Sequence, residues 1–147
     1  MSEAESAAGA APSVSAEEAA EIEKAISTCV RQFYGKARED DLLGPIFSAA
    51  VSDWEHHFKR IDDFWSHVLL GTKRYSGHPY SLHVPLAIGP QHFDRWLLLF
   101  EETVIATLAP AQGKVAIARA RTMARSFQAG MYPFKDADGR PRRAPTG

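Results

Sequence analysis

Apolar residues recur every three or four positions along most of this chain, the spacing of one face of an α-helix. Ser15-Ala16-Glu17-Glu18 has the form of a capping box. The stretch behind it, running to about Asp40, puts Ile22, Ile26, Cys29/Val30 and Phe33 on one stripe. Asp41–Phe47 reads as a short turn that delivers Phe47 inward. A second capping box, Ser52-Asp53-Trp54-Glu55, opens a helix whose apolar face carries His57, Ile61, Phe64/Trp65 and Val68, and Gly71 ends it. A linker broken by proline and glycine follows, with His83 between Pro79 and Pro85. Pro90 suits the first turn of the next helix, where a missing N–H costs nothing, and Phe93, Trp96/Leu97, Phe100, Val104 and Leu108 form its stripe. After Pro110, Lys114–Met131 supplies Ile117, Ala120, Ala124, Phe127 and Met131 as the last apolar face. Strand-type alternation is lacking and β-branched residues are sparse, so the class is all-α.

Length and charge narrow this picture. A chain of 147 residues is one domain's worth, enough to bury about two-thirds of its unfolded surface. Seventeen basic and 18 acidic residues leave a formal net charge of −1, and nothing in that balance draws the whole molecule to nucleic acid or an anionic membrane. Cys29 is the only cysteine; an intramolecular disulfide is excluded, and a buried, inert thiol is expected. The N-terminus lacks a basic start and an apolar core, and no apolar run approaches the ~20 residues a spanning helix needs, which reads as a soluble cytoplasmic protein. Residues 1–14 are expected to be a disordered extension, 15–134 one helical domain, and 135–147 a flexible tail with Arg140, Arg142 and Arg143.

Most chemistry-bearing residues have an ordinary reading when taken singly. His57 reads as a boundary histidine bonded to water, Tyr34 as a core ring with its hydroxyl at the rim, Trp96 as core, and His83 as a loop histidine. His56, His67, His78 and His92 read as surface residues, and no zinc-type spacing recruits them. Together their roles are complementary. An imidazole facing inward and another on a stiffened loop opposite would flank a flat ligand, and the residue types suit haem. Haem needs a basic imidazole, apolar walls, and cationic or hydroxyl partners for two propionates. His83 supplies the first. Phe47, Ile61, Phe64, Phe93 and Phe127 supply walls, Arg60, Arg74 and Tyr75 edge partners, and Tyr34, His57 and Trp96 donors for a bound ligand.

Phe33-Tyr34, Leu43-Gly44-Pro45-Ile46-Phe47, Asp53-Trp54-x-x-His57, Asp63-Phe64-Trp65, Leu69-Leu70-Gly71-Thr72, Arg74-Tyr75-x-Gly77-x-Pro79, His83 and Phe93-x-x-Trp96-Leu97-x-Leu99-Phe100 resemble, as a set, the group III truncated haemoglobins. The likeness runs from Val30 to Met131. It implies a two-over-two helical sandwich enclosing haem b, with Ser52–Leu70 and Pro90–Leu108 among the enclosing helices. It also implies His83 as proximal iron ligand, Tyr34 and Trp96 as distal donors, and His57 as a gate. Phe47 would pack on the porphyrin, Ile61, Phe64 and Trp65 would line the distal side, and Arg60, Arg74 and Tyr75 would be propionate partners. The implied ligands are O2, NO, CO or peroxide. The implied activity is NO dioxygenation or peroxidase-like turnover with an external reductase. An O2 storage or sensing module and a cofactor-free helical interaction domain are the alternatives.

Overall fold

The computed structural model describes residues 14–132 and, as backbone, two short strands at 134–135 and 141–142. Most of the two expected tails, including Arg140 and Arg143, lies outside the described residues.

Helix α1 (Ala16–Glu39) starts on the expected capping box: Ser15 Oγ accepts from the Glu18 amide and the Glu18 carboxylate accepts from the Ser15 amide. Its stripe buries Ile26, Cys29, Val30, Phe33, Tyr34 and Ala37. The predicted turn before Phe47 is largely a short helix, α2 (Gly44–Ala50), with Pro45 at its start; the Asp40 carboxylate accepts the Leu42 and Leu43 amides just ahead of it. Helix α3 (Trp54–Leu70) is capped one residue later than expected, by Asp53, whose carboxylate accepts the His56 amide. The predicted box at Ser52 does not form, because the Asp53 side chain already serves the first turn and starts the helix at Trp54. Gly71 closes α3 in the left-handed region at φ 73°, the one described residue with positive φ.

The linker after Gly71 contains one helical turn, α4 (Pro79–His83), so His83 ends a helix and does not sit in an irregular loop. Helix α5 (Pro90–Thr107) has Pro90 in its first turn, and the His92 ring turns back to accept the Gly89 amide at 2.9 Å. His92 is thus a half-buried cap, not the surface residue expected. Helix α6 (Pro110–Met131) begins at Pro110, earlier than the stretch singled out from the apolar pattern. Past it, β1 (Phe134–Lys135) pairs antiparallel with β2 (Pro141–Arg142), a two-residue ladder; the other regular elements among the described residues are helices.

α1 packs on α3 and α5, while α6 packs on α5 and α3. The large cluster is Ile26, Val30, Phe33, Trp65, Phe100 and Val104 with their neighbours. A smaller one gathers Phe93, Ala124, Phe127 and Met131 at the C-terminal half of α6, and Leu97 touches both. Full burial of each large apolar side chain contributes about 1.5–3 kcal/mol, so the two clusters hold the helices together. The inward face of α3 is left incomplete: His57, Ile61, Phe64 and Val68 are only half-buried. Among the described residues no helix is long and apolar enough to cross a membrane.

Candidate functional site

Tyr34, from the last third of α1, is 5% exposed and caged by rings. Phe33, Phe47, Trp54 and His57 meet it edge-on at centroid distances of 5.0, 5.3, 5.5 and 5.0 Å, and Phe58 lies at 5.8 Å. The cage leaves the hydroxyl one polar partner, Nε2 of His57 at 2.9 Å. Burial pushes the Tyr34 phenol far above its ordinary range. Burial also lowers the His57 pKa, helped by the charges of Arg60, His56 and His83. The pair is therefore neutral: a phenol and an imidazole share one hydrogen bond, and the tautomer of His57 decides the donor. With the proton on Nε2, His57 donates to the Tyr34 oxygen and the phenol O–H is left for a third party. With the proton on Nδ1, the phenol is occupied.

Trp96 of α5 stacks on Phe100 (4.9 Å, 10°) and meets Phe33 edge-on at 5.5 Å. Its indole N–H has no hydrogen-bond partner among the described residues. Trp54 and Phe58 also join this cage, which the apolar pattern alone does not single out. Their i, i+3 and i, i+4 relation with His57 and Trp54 could have found them, since those spacings share a helix face.

His83 does not stand free. Nδ1 lies 2.6 Å from the Pro79 carbonyl oxygen, and a carbonyl only accepts, so Nδ1 carries the proton and the neutral ring's lone pair is on Nε2. An imidazole oriented by a backbone carbonyl is the form in which histidine ligates a metal. The ring also lies 4.9 Å from that of Phe127.

Beside it opens a cleft of about 640 Å³ between α3, α6 and residues 75–81, walled by Phe64, Met123 and Phe127, with Tyr75, Tyr80 and Arg119 adding polar atoms. On its rim Arg60 lies over the Tyr75 ring at 5.7 Å. The Arg60 guanidinium and Tyr75 hydroxyl converge on Gly77: a Cβ there would stand 2.8 Å from one and 2.9 Å from the other. With glycine at 77 the cationic and hydroxyl ends stand together without displacement, and an acidic edge of a ligand suits them.

Two expected site residues stand elsewhere. Arg74 bonds Glu23 (2.7 Å), Asp63 (3.1 Å) and Ser66 (2.9 Å), so its guanidinium is committed to tying the linker to α1 and α3. Trp65 is 6% exposed and stacks on Phe100 at 5.0 Å inside the main core, one helix position round from the cleft-lining Phe64. Phe47 and Ile61 border the large cluster, and Phe93 and Phe127 belong to the small one.

An all-α fold that carries an imidazole oriented by a backbone carbonyl next to an apolar, aromatic-walled cleft has the residue types a haem-binding helical protein needs. The comparisons agree. The family model for bacterial-like globins matches residues 18–129. A group 3 truncated haemoglobin of Campylobacter jejuni is 35% identical over 117 residues, covering 76% of this chain and 92% of that protein. The crystal structure of a group III truncated haemoglobin from Campylobacter jejuni superposes with a TM-score of 0.72 at 34% identity, covering 78% of this chain and 94% of that one. The chain belongs to the bacterial-like globins and, within them, is a group III truncated haemoglobin. Haem-based binding of small ligands comes with that membership.

Proposed function

We propose that this protein holds haem b, in the cytoplasm, and uses it to consume NO with O2, giving nitrate. His83 would ligate the iron through Nε2, Arg60 and Tyr75 would take the propionates, and Phe64 and Phe127 would supply apolar walls. When bound, the haem supplies a ferrous centre for diatomic ligands and one-electron redox chemistry. The conversion of NO and O2 to nitrate takes up one electron, which an external reductase provides.

The observation that carries this reading is the neutral Tyr34–His57 pair inside an aromatic cage. Proton exchange between the His57 nitrogens frees the Tyr34 O–H, and the Trp96 indole adds a second donor. A neutral hydrogen bond contributes about 1 kcal/mol and one to a charged partner about 1.5–3. Two such donors slow O2 release by roughly two to four orders of magnitude, at 1.4 kcal/mol per factor of ten. A protein that holds O2 this firmly suits reaction better than delivery. The surrounding rings exclude water, so the donors keep their strength.

The haem-loaded protein should give a Soret band that shifts with dithionite and again with CO. With O2 present, added NO should yield nitrate in stoichiometric amount. Tyr34→Phe and Trp96→Phe should each raise the O2 off-rate by about tenfold or more, the equivalent of one lost bond. CO, which is less polar when bound, should respond far less. Equal effects on the two gases would mean that these residues act by packing, and would remove the donor role. An absent Soret band after haem reconstitution would remove the haem reading.

A further inference from the structure

Helix α4 has little of what normally secures a helix. It is five residues long, has no side-chain N-cap, and buries none of its residues; Leu82 is 57% exposed. Two rings anchor it: Tyr80 and His83 both lie against Phe127 of α6, at 5.6 and 4.9 Å. Tyr80 reaches further along α6. A Cβ on Gly130 would stand 2.6 Å from Tyr80 Oη, 2.9 Å from Cζ and 3.1 Å from Cε1. The end of the partly exposed Tyr80 ring lies over Gly130, and a side chain at 130 would have to push it aside.

The glycine has no backbone reason to be there. Its φ is not positive, and glycine within a helix costs roughly 0.5–1 kcal/mol relative to alanine. What distinguishes the position is the Tyr80 ring lying over it. The same end of α6 holds the chain beyond α4 as well, since the Tyr132 hydroxyl donates to the Ile88 carbonyl.

We infer that the contact between Tyr80 and Gly130 docks α4 on α6 and thereby positions His83 for iron ligation. Tyr80 and Gly130 are positioning residues: neither touches the ligated atom. The carbonyl that orients the His83 ring belongs to Pro79, the neighbour of Tyr80, so ring and acceptor move as one unit with α4. This inference rests on the haem reading above, and its test separates the two.

The test uses the full chain with Gly130→Ala, Tyr80→Ala, both together, and Tyr80→Phe. Readouts are haem loss to a scavenger apoglobin, the iron–histidine stretching band of the ferrous form, and amide exchange at Leu82 and Val84 in the haem-free protein. Gly130→Ala should speed haem loss by about tenfold, equivalent to about 1.4 kcal/mol, move or broaden the iron–histidine band, and hasten exchange at Leu82 and Val84. Helix propensity alone predicts the opposite sign, a firmer α6. In the Tyr80→Ala background the same substitution should do nothing further, because the methyl group then meets no ring. Tyr80→Phe, which keeps the ring, should stay close to the parent. Gly130→Ala without effect, or with the same effect in both tyrosine backgrounds, overturns the inference. If no variant and no parent takes up haem, the haem reading falls, while the exchange rates still decide whether Tyr80 and Gly130 dock α4.

Discussion

At the scale of single residues, the chemistry of His83 is decided by one acceptor. The Pro79 carbonyl accepts a hydrogen bond from Nδ1–H and leaves Nε2 as the basic atom, the tautomer that the proposed iron ligation requires. His83→Ala should abolish the ferrous five-coordinate spectrum and most haem retention, and added imidazole should restore the spectrum in part. A normal ferrous spectrum of the alanine variant without imidazole would assign the ligand elsewhere. As a candidate, His83 was conspicuous in the sequence, bracketed by Pro79 and Pro85 within a recognisable motif set. Its tautomer was not, since it depends on a one-turn helix that places residue 79 beneath residue 83. The Tyr34–His57 bond was equally out of reach, as it joins residues 23 positions apart on two different helices.

At the scale of elements, periodicity located the four long helices because each buries a continuous stripe. The short ones escaped it. One or two turns of helix carry no period, and α2 and α4 are set by Pro45, Pro79 and what lies against them. The linker between α3 and α4 shows the consequence for side-chain roles. Arg60 and Arg74 look alike in sequence as edge cations, yet the folded linker gives Arg74 to Glu23 and Asp63 and leaves Arg60 over Tyr75 beside Gly77. The two arginines should therefore separate experimentally. Arg74→Gln should lower the melting temperature of the haem-free protein by about 2–4 °C, since partly exposed ion pairs are worth about 1 kcal/mol at most. It should scarcely change haem loss. Arg60→Gln should hasten haem loss with little change in melting. The reverse pattern would return the propionate role to Arg74.

At the scale of the whole molecule, the core is built in two parts with the inward face of α3 half-covered between them. The haem-free protein should accordingly melt well below the loaded one, because a ligand that binds only the folded state adds about 2.7 kcal/mol when present at a hundred times its dissociation constant. Acid should expose the same weakness. Burial, then Arg60, His56 and His83, holds the His57 pKa below its ordinary 6.5 in the folded chain. Below that pH the unfolded chain takes up the proton before the folded one does, so the unfolded state binds more protons and stability falls with falling pH. Well above pH 6.5 both states have a neutral ring and this contribution is constant. Protonating His57 in the folded state would also cost the neutral arrangement with Tyr34, whose phenol stays protonated throughout. Urea titrations of the haem-free protein should thus show the unfolding free energy dropping as pH falls from 7 towards 5. His57→Gln keeps a polar side chain beside Tyr34 but does not titrate, and it should flatten that slope. If the slope survives the substitution unchanged, groups other than His57 govern the acid response, and the neutral pair is not the pH-sensitive element of this pocket.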